Sequence, residues 1–137
     1  MNPLVVDNSV AYKWISHIGE DHVEEAFDLL RDHRSGTHVL AAPATLYVEL
    51  ANAVRNSRNV DRETALDIVA GLETLQIELV TPTPERLVAA LRLSYRHNIS
   101  IYDALFLALV EELDCPLVTA DRKAFAGIDS PVEIRLL

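Results

Sequence analysis

Four acidic residues stand where a chain usually keeps chemistry rather than packing: Asp7, Glu49, Asp103 and Asp121. Asp7 closes the apolar run Leu4-Val5-Val6, and Asp121 follows Leu117-Val118-Thr119 one residue on. Glu49 and Asp103 interrupt the apolar stretches Leu46–Ala51 and Ile101–Phe106, with no Lys or Arg nearby in the chain to neutralise either. Carboxylates are seldom buried without a partner. Two of them about 4 Å apart repel by roughly 4 kcal/mol at an effective dielectric of 20, a large share of the roughly 5–15 kcal/mol that holds a domain folded. If the fold brings the four together, a cation is the partner their charge calls for. An all-oxygen donor set favours Mg²⁺ or Mn²⁺, and the absence of a Cys/His cluster argues against structural zinc. His17, His22, His33, His38 and His97 have no metal-ligand spacing.

Each acid also has an ordinary role open to it. Asp7 can close a strand and accept backbone N–H groups at the next helix start, and Asp121 can cap the turn Arg122–Phe125. Ser100-Ile101-Tyr102-Asp103 has the spacing of a capping box, with Asp in place of Glu. Glu49 is hardest to explain this way, because it lies beyond the first turn of a helix opened by Thr45, where dipole stabilisation fades.

The elements that must position these acids follow from the apolar pattern. Leu4–Asp7, His38–Ala41, Ile77–Val80 and Leu117–Thr119 are predicted strands, with Val132–Ile134 as a fifth. Between them run predicted helices: one capped by Ser9 and carrying Val10, Trp14 and Ile15, one from Asp21 to about Ser35-Gly36, and one from Thr45 to about Asn56. Others run from Asp61 through Leu72, over Glu85–His97 and Ile101–Leu113, with a helical turn at Arg122–Phe125. Short apolar strands alternating with helices predict an α/β sandwich on a mainly parallel sheet of four to five strands. In such sheets the functional crevice lies beyond the carboxyl ends of the strands, where Asp7 and Asp121 fall.

Composition sets the outer bounds. The 137 residues, half of them hydrophobic, suit one domain over 1–137 with its own core. The longest wholly apolar run, Ala104 to Val110, is too short to span a bilayer. The N-terminus lacks the pattern of a signal peptide. A lone Cys115 leaves no internal disulfide and suits a reducing cytoplasm. A net charge of −9 argues against a broad electrostatic embrace of nucleic acid but leaves room for a local site. Much of the acidity falls on Glu20, Asp21, Glu24, Glu25 and Asp28, plausible as one solvated helix face. Basic residues gather at Arg55, Arg58 and Arg62, at Arg92, Arg96 and His97, and at Arg122 and Lys123.

At these acids the chain resembles the PIN-domain ribonucleases, specifically VapC-type toxins of bacterial and archaeal toxin–antitoxin pairs. Val5-Val6-Asp7-Asn8-Ser9-Val10 resembles the family's opening strand and D-x-S motif, and Glu49-Leu50-Ala51-Asn52 its E-x-x-N helix. Tyr102–Ala108 resembles the third motif, and Thr119-Ala120-Asp121-Arg122-Lys123-Ala124-Phe125 the final T-x-D-x-x-F. The resemblance covers nearly the whole chain. It implies a PIN-like three-layer sandwich and a Mg²⁺- or Mn²⁺-dependent endoribonuclease, held silent by a VapB-like antitoxin that reaches into the acidic site. By the same resemblance Asp7 and Asp103 are the main metal ligands, while Glu49 and Asp121 complete the charge, orient waters or hold a second ion. Ser9, Asn52 and Thr119 become supporting hydrogen-bonding groups. Arg122 and Lys123, beside the last acid, are candidates for steering RNA phosphate. A homodimer is expected mainly by analogy, aided by the apolar surface of Glu85–His97 and Ile101–Leu113.

Two other classes compete. A catalytically silent PIN-like module would bind a partner helix along Trp14-Ile15, Leu46-Tyr47 and Leu50. A phosphotransfer domain would also carry an Asp after its first strand, but it needs a lysine near a later strand, and only Lys13 and Lys123 exist.

Overall fold

Val and Leu runs too short for helices form the sheet, and longer amphipathic stretches cover it. In the computed structural model, which describes residues 2–137, the chain alternates strand and helix from end to end. Strand β1 (Pro3–Val6) leads into helices α1 (Asn8–Ile15) and α2 (Val23–Ser35), then strand β2 (Val39–Pro43). Helices α3 (Leu46–Asn56) and α4 (Arg62–Ala70) and the 3₁₀ turn Leu72–Leu75 precede strand β3 (Glu78–Val80). Helices α5 (Pro84–His97) and α6 (Ile101–Leu113) return to strand β4 (Leu117–Thr119), followed by α7 (Arg122–Phe125) and strand β5 (Ile134–Leu136).

The five strands pair in the order β3-β2-β1-β4-β5, all parallel. The crossover from β1 to β2 moves one way along the sheet and the crossover from β3 to β4 moves back. Right-handed crossovers therefore place α1 and α2 on one face and α5 and α6 on the other. That is the three-layer α/β sandwich the motifs imply. The chain reverses its progress at β1 and β4, so their carboxyl ends form the crevice of the fold.

Helix α6 is the centre of the second layer. It packs on β1, β2 and β4 while α5 covers its outer side. Accordingly it is apolar nearly all round, with Phe106, Leu107 and Val110 shut off from solvent. Val5, Val6, Leu40, Leu117 and Val118 complete the interior from the sheet. Fully burying side chains of this size contributes about 1.5–3 kcal/mol each.

Several boundaries differ from expectation, each for a local reason. Asp7, not Ser9, caps α1, because its carboxylate reaches the Val10 N–H three residues on. Helix α2 begins at Val23 rather than Asp21, since His22 adopts the left-handed conformation (φ 55°) and makes no side-chain cap. At its other end Gly36 takes φ 83°, which lets its N–H return to the carbonyls of Asp32 and His33. Helix α4 ends at Ala70, and Leu72 turns into the tighter 3₁₀ segment. Strand β2 runs two residues further than expected, through Pro43, and the fifth strand lies at Ile134–Leu136, where it finds partners in Leu117–Thr119.

Candidate active site

Asp7 is where the site starts. It leaves the central strand at 4% exposure, and its two oxygens are claimed by three donors. Ser9 Oγ donates to Oδ1 at 2.6 Å and the Val10 N–H at 3.3 Å. Thr119 Oγ1 donates to Oδ2 at 2.5 Å from the end of β4. These two hydroxyls are themselves fixed: Ser9 Oγ accepts the Ala120 N–H at 2.8 Å, and Thr119 Oγ1 accepts the Asp121 N–H at 3.0 Å. The loop after β4 is thereby stitched to the loop after β1. Even so, burial pushes the Asp7 carboxyl up to about 6, the three hydrogen bonds oppose that rise, and the charge of Asp121 adds to it.

Asp121 caps α7 as well, accepting the Ala124 N–H at 3.1 Å. Asp103 lies in the first turn of α6, where its own N–H donates to Ser100 Oγ at 3.1 Å. Burial raises the Asp103 carboxyl, a side-chain interaction with the Ser100 hydroxyl opposes this, and Asp121 pushes it further up. Glu49 stands on α3. Burial drives it up to about 7, helped by the charges of Asp103 and Asp7, and its Oε2 is buried with no hydrogen-bond partner among the described residues. The acids from β1, α3, α6 and the loop after β4 therefore act on one another electrostatically. The ordinary capping roles of Asp7 and Asp121 are also real.

The supporting residues divide. Ser9 and Thr119 hold Asp7, whereas Asn52 is exposed and its side-chain oxygen accepts from Asn56 at 3.2 Å. Arg122 is exposed and donates to the Leu137 carbonyl oxygen at 3.3 Å, while Lys123 is exposed with no ion pair among the described residues. Lys13 is buried and bound to Glu20 at 3.0 Å, so neither lysine serves Asp7 as phosphotransfer chemistry would require. Leu46 and Leu50 are core residues with no exposed surface. Trp14 and Ile15 do line a groove of about 350 Å³, with Phe27, Ile68 and Leu72. Two further oxygens, Asn8 Oδ1 and Thr45 Oγ1, are buried without partners among the described residues. In the sequence Thr45 marks only a helix start and Asn8 only a variable motif position.

Chemically the donor set is that of a hard divalent cation: four carboxylates, two of them held near neutral pH by burial, and one with an orphaned oxygen. Among the described residues no three His, Cys, Asp or Glu side chains stand close enough to hold an ion as they are. Asp7 Oδ1 accepts from both Ser9 and Val10, while Asp7 Oδ2 and Asp121 Oδ1 each accept one protein donor and keep a further lone pair for a ligand.

A family model described as PIN domain matches residues 4–130. Ribonuclease VapC1 of Mycobacterium tuberculosis is 35% identical over 98 residues, which are 70% of this chain and 73% of that protein. Among solved structures, VapBC2 from Rickettsia felis, bound to a DNA fragment from its promoter, matches with a TM-score of 0.67 at 17% identity, covering 96% of both chains. VapC20 of Mycobacterium tuberculosis, described as a Sarcin-Ricin loop cleaving toxin, matches with a TM-score of 0.66 at 18% identity, covering 92% of this chain and 96% of its own. At these identities the structural matches speak for the fold.

Proposed function

Since this chain belongs to the PIN-domain family, we propose that it is a divalent-cation-dependent endoribonuclease, the toxin of a VapBC-type pair. The observation that carries the reading is the binding of Asp7 to Ser9 and Thr119 where β1 and β4 end, with Asp121 in the loop so fixed, and the raised carboxyls of Glu49 and Asp103 support it. The name of the 35% identical relative, a ribonuclease, supports the choice of RNA.

Asp7 and Asp103 would hold Mg²⁺ or Mn²⁺, with Glu49 and Asp121 completing the charge. Such an ion supplies Lewis acidity toward a phosphate and lowers the pKa of a water to a useful range. The protein's own part is positioning. Ser9 and Thr119 keep both Asp7 oxygens in place, so little reorganisation is needed when RNA arrives. Cleavage is hydrolysis: water oxygen bonds to phosphorus, the bond to the 3′-oxygen breaks, and that oxygen takes a proton. The products carry a 5′-phosphate and a 3′-hydroxyl.

Purified protein should cut RNA in Mg²⁺ and stop in EDTA, with ends of that kind on analysis. Products ending in a 2′,3′-cyclic phosphate would overturn the mechanism. No cleavage in Mg²⁺ or Mn²⁺ by the folded, partner-free protein would leave the alternative, a silent partner-binding module. The groove at Trp14, Ile15, Phe27 and Leu72 supports docking of an antitoxin helix in either case. The exposed stripe Leu87, Leu91 and Tyr95 on α5 supports a homodimer, which a monomer mass in sedimentation at micromolar concentration would exclude. No helix among the described residues is long and apolar enough to cross a membrane.

A further inference from the structure

Three side-chain oxygens among the described residues are buried without any hydrogen-bond partner: Asn8 Oδ1, Thr45 Oγ1 and Glu49 Oε2. They are not scattered. Strands β1 and β2 lie side by side with Val5 opposite Ala41, so the segments Asp7-Asn8 and Ala44-Thr45 leave the same end of the sheet as neighbours. Thr45 and Glu49 are one helical turn apart, the Glu49 N–H donating to the Thr45 carbonyl at 3.0 Å, and therefore share a face of α3. Glu49 in turn feels the charge of Asp7, the residue before Asn8.

A buried oxygen with no donor costs free energy, and folded proteins rarely keep one without a reason. Three together, beside carboxylates, select their ligand by chemistry. Phosphate is repelled, and an apolar group leaves the oxygens unsatisfied. A hydrated divalent cation satisfies them, because Mg²⁺ and Mn²⁺ hold onto several waters whose hydrogens point outward. We infer that Asn8 and Thr45 are positioning residues for the water shell of the site's cation, accepting hydrogen bonds from its waters while the carboxylates hold the ion. This rests on the cation reading proposed above and adds two residues that the four-acid pattern does not contain.

The two roles of an orphaned oxygen have opposite signs, which makes the test sharp. Thr45→Val keeps the shape and removes the hydroxyl; Asn8→Ala removes the amide; Thr45→Ser keeps the hydroxyl. Each is compared with wild type for Tm in EDTA and for Mn²⁺ affinity by titration calorimetry. The metal-free Tm of Thr45→Val should hold or rise, since nothing among the described residues is bonded to Oγ1. Its Kd for Mn²⁺ should rise roughly tenfold, the usual scale for residues that support a metal through another group, with a similar rise for Asn8→Ala and recovery in Thr45→Ser. Wild-type affinity in Thr45→Val and Asn8→Ala overturns the inference. A metal-free Tm that drops in Thr45→Val also overturns it, because the hydroxyl is then a partner within the fold. Wild-type protein that takes up no Mn²⁺ at all fails the cation reading itself, a different result from wild-type uptake that the variants leave unchanged.

Discussion

Replacing Asp7 with Asn should make the metal-free protein more stable at pH 8 and nearly unchanged at pH 5. The carboxyl is held at about 6 in the folded protein against an ordinary 3.8. At pH 8, where it is ionised in both states, that difference costs about 3 kcal/mol of folding free energy. The sign follows from the raised value: the folded state binds the extra proton, so stability is greatest at low pH and is lost as pH rises through about 6. Between pH 8 and pH 5 the wild type regains about 1.5 kcal/mol through this one group. Asn has no proton to bind and no such dependence. It does give up one hydrogen bond, that from Thr119 to Oδ2, worth about 1 kcal/mol. The variant should therefore exceed wild type by about 2 kcal/mol at pH 8, roughly 6–8 °C in Tm at this size, and by about 0.5 kcal/mol at pH 5.

Urea denaturation in EDTA at the two pH values measures this directly. Trp14, the only tryptophan, is buried with its Nε1–H donating to the Ala26 carbonyl, and its fluorescence reports unfolding. RNA cleavage by the same variant should be abolished. Parallel pH–stability curves for variant and wild type would refute the reasoning, as would a variant less stable than wild type at pH 8. Either result means that Ser9, Val10 and Thr119 already compensate the burial of Asp7 in full.

Two other expectations follow from the site's charges. Because Asp7 and Glu49 sit at about 6 and 7, uptake of Mn²⁺ at pH 6.5 should expel about one proton, and at pH 8.5 almost none. Calorimetry in buffers of different ionisation enthalpy detects the difference, and identical heats at pH 6.5 would count against it. Neutralising Arg122 and Lys123 together should lower the slope of log K against log salt for single-stranded RNA by at most about 1.4. Lys123 should account for most of the effect, since Arg122 is bound to the Leu137 carbonyl; an unaltered slope would remove both from the RNA path.

The parts of the molecule legible in its sequence are those set by neighbours along the chain. Asp61 and Ser100 cap their helices because a side-chain oxygen needs only the N–H three residues on. Helix α6 and strand β4 fall where expected because an apolar run between polar breaks has few other ways to bury itself. Strand β5 was displaced because three residues of such weak pattern take their register from β4, not from their own sequence. The acids stood out because they interrupt apolar runs. Asn52, three positions after Glu49, is exposed and its side-chain oxygen accepts from Asn56, a contact that the E-x-x-N spacing does not announce. The unpartnered oxygens of Asn8 and Thr45 had no sequence signal at all, because being without a donor is a property of three-dimensional surroundings.

The stitching of Asp7 by Thr119 also has a bearing on how the protein is made. Strand β1 leaves a ribosome well before its partner β4 on one edge, and before Thr119 and Asp121. A nascent chain stalled before β4 thus holds an aspartate that lacks its Thr119 clamp and the charge of Asp121. If the finished molecule cuts RNA, the machine translating it is spared by its own unfinished product, and the danger begins only once synthesis has passed the final acid.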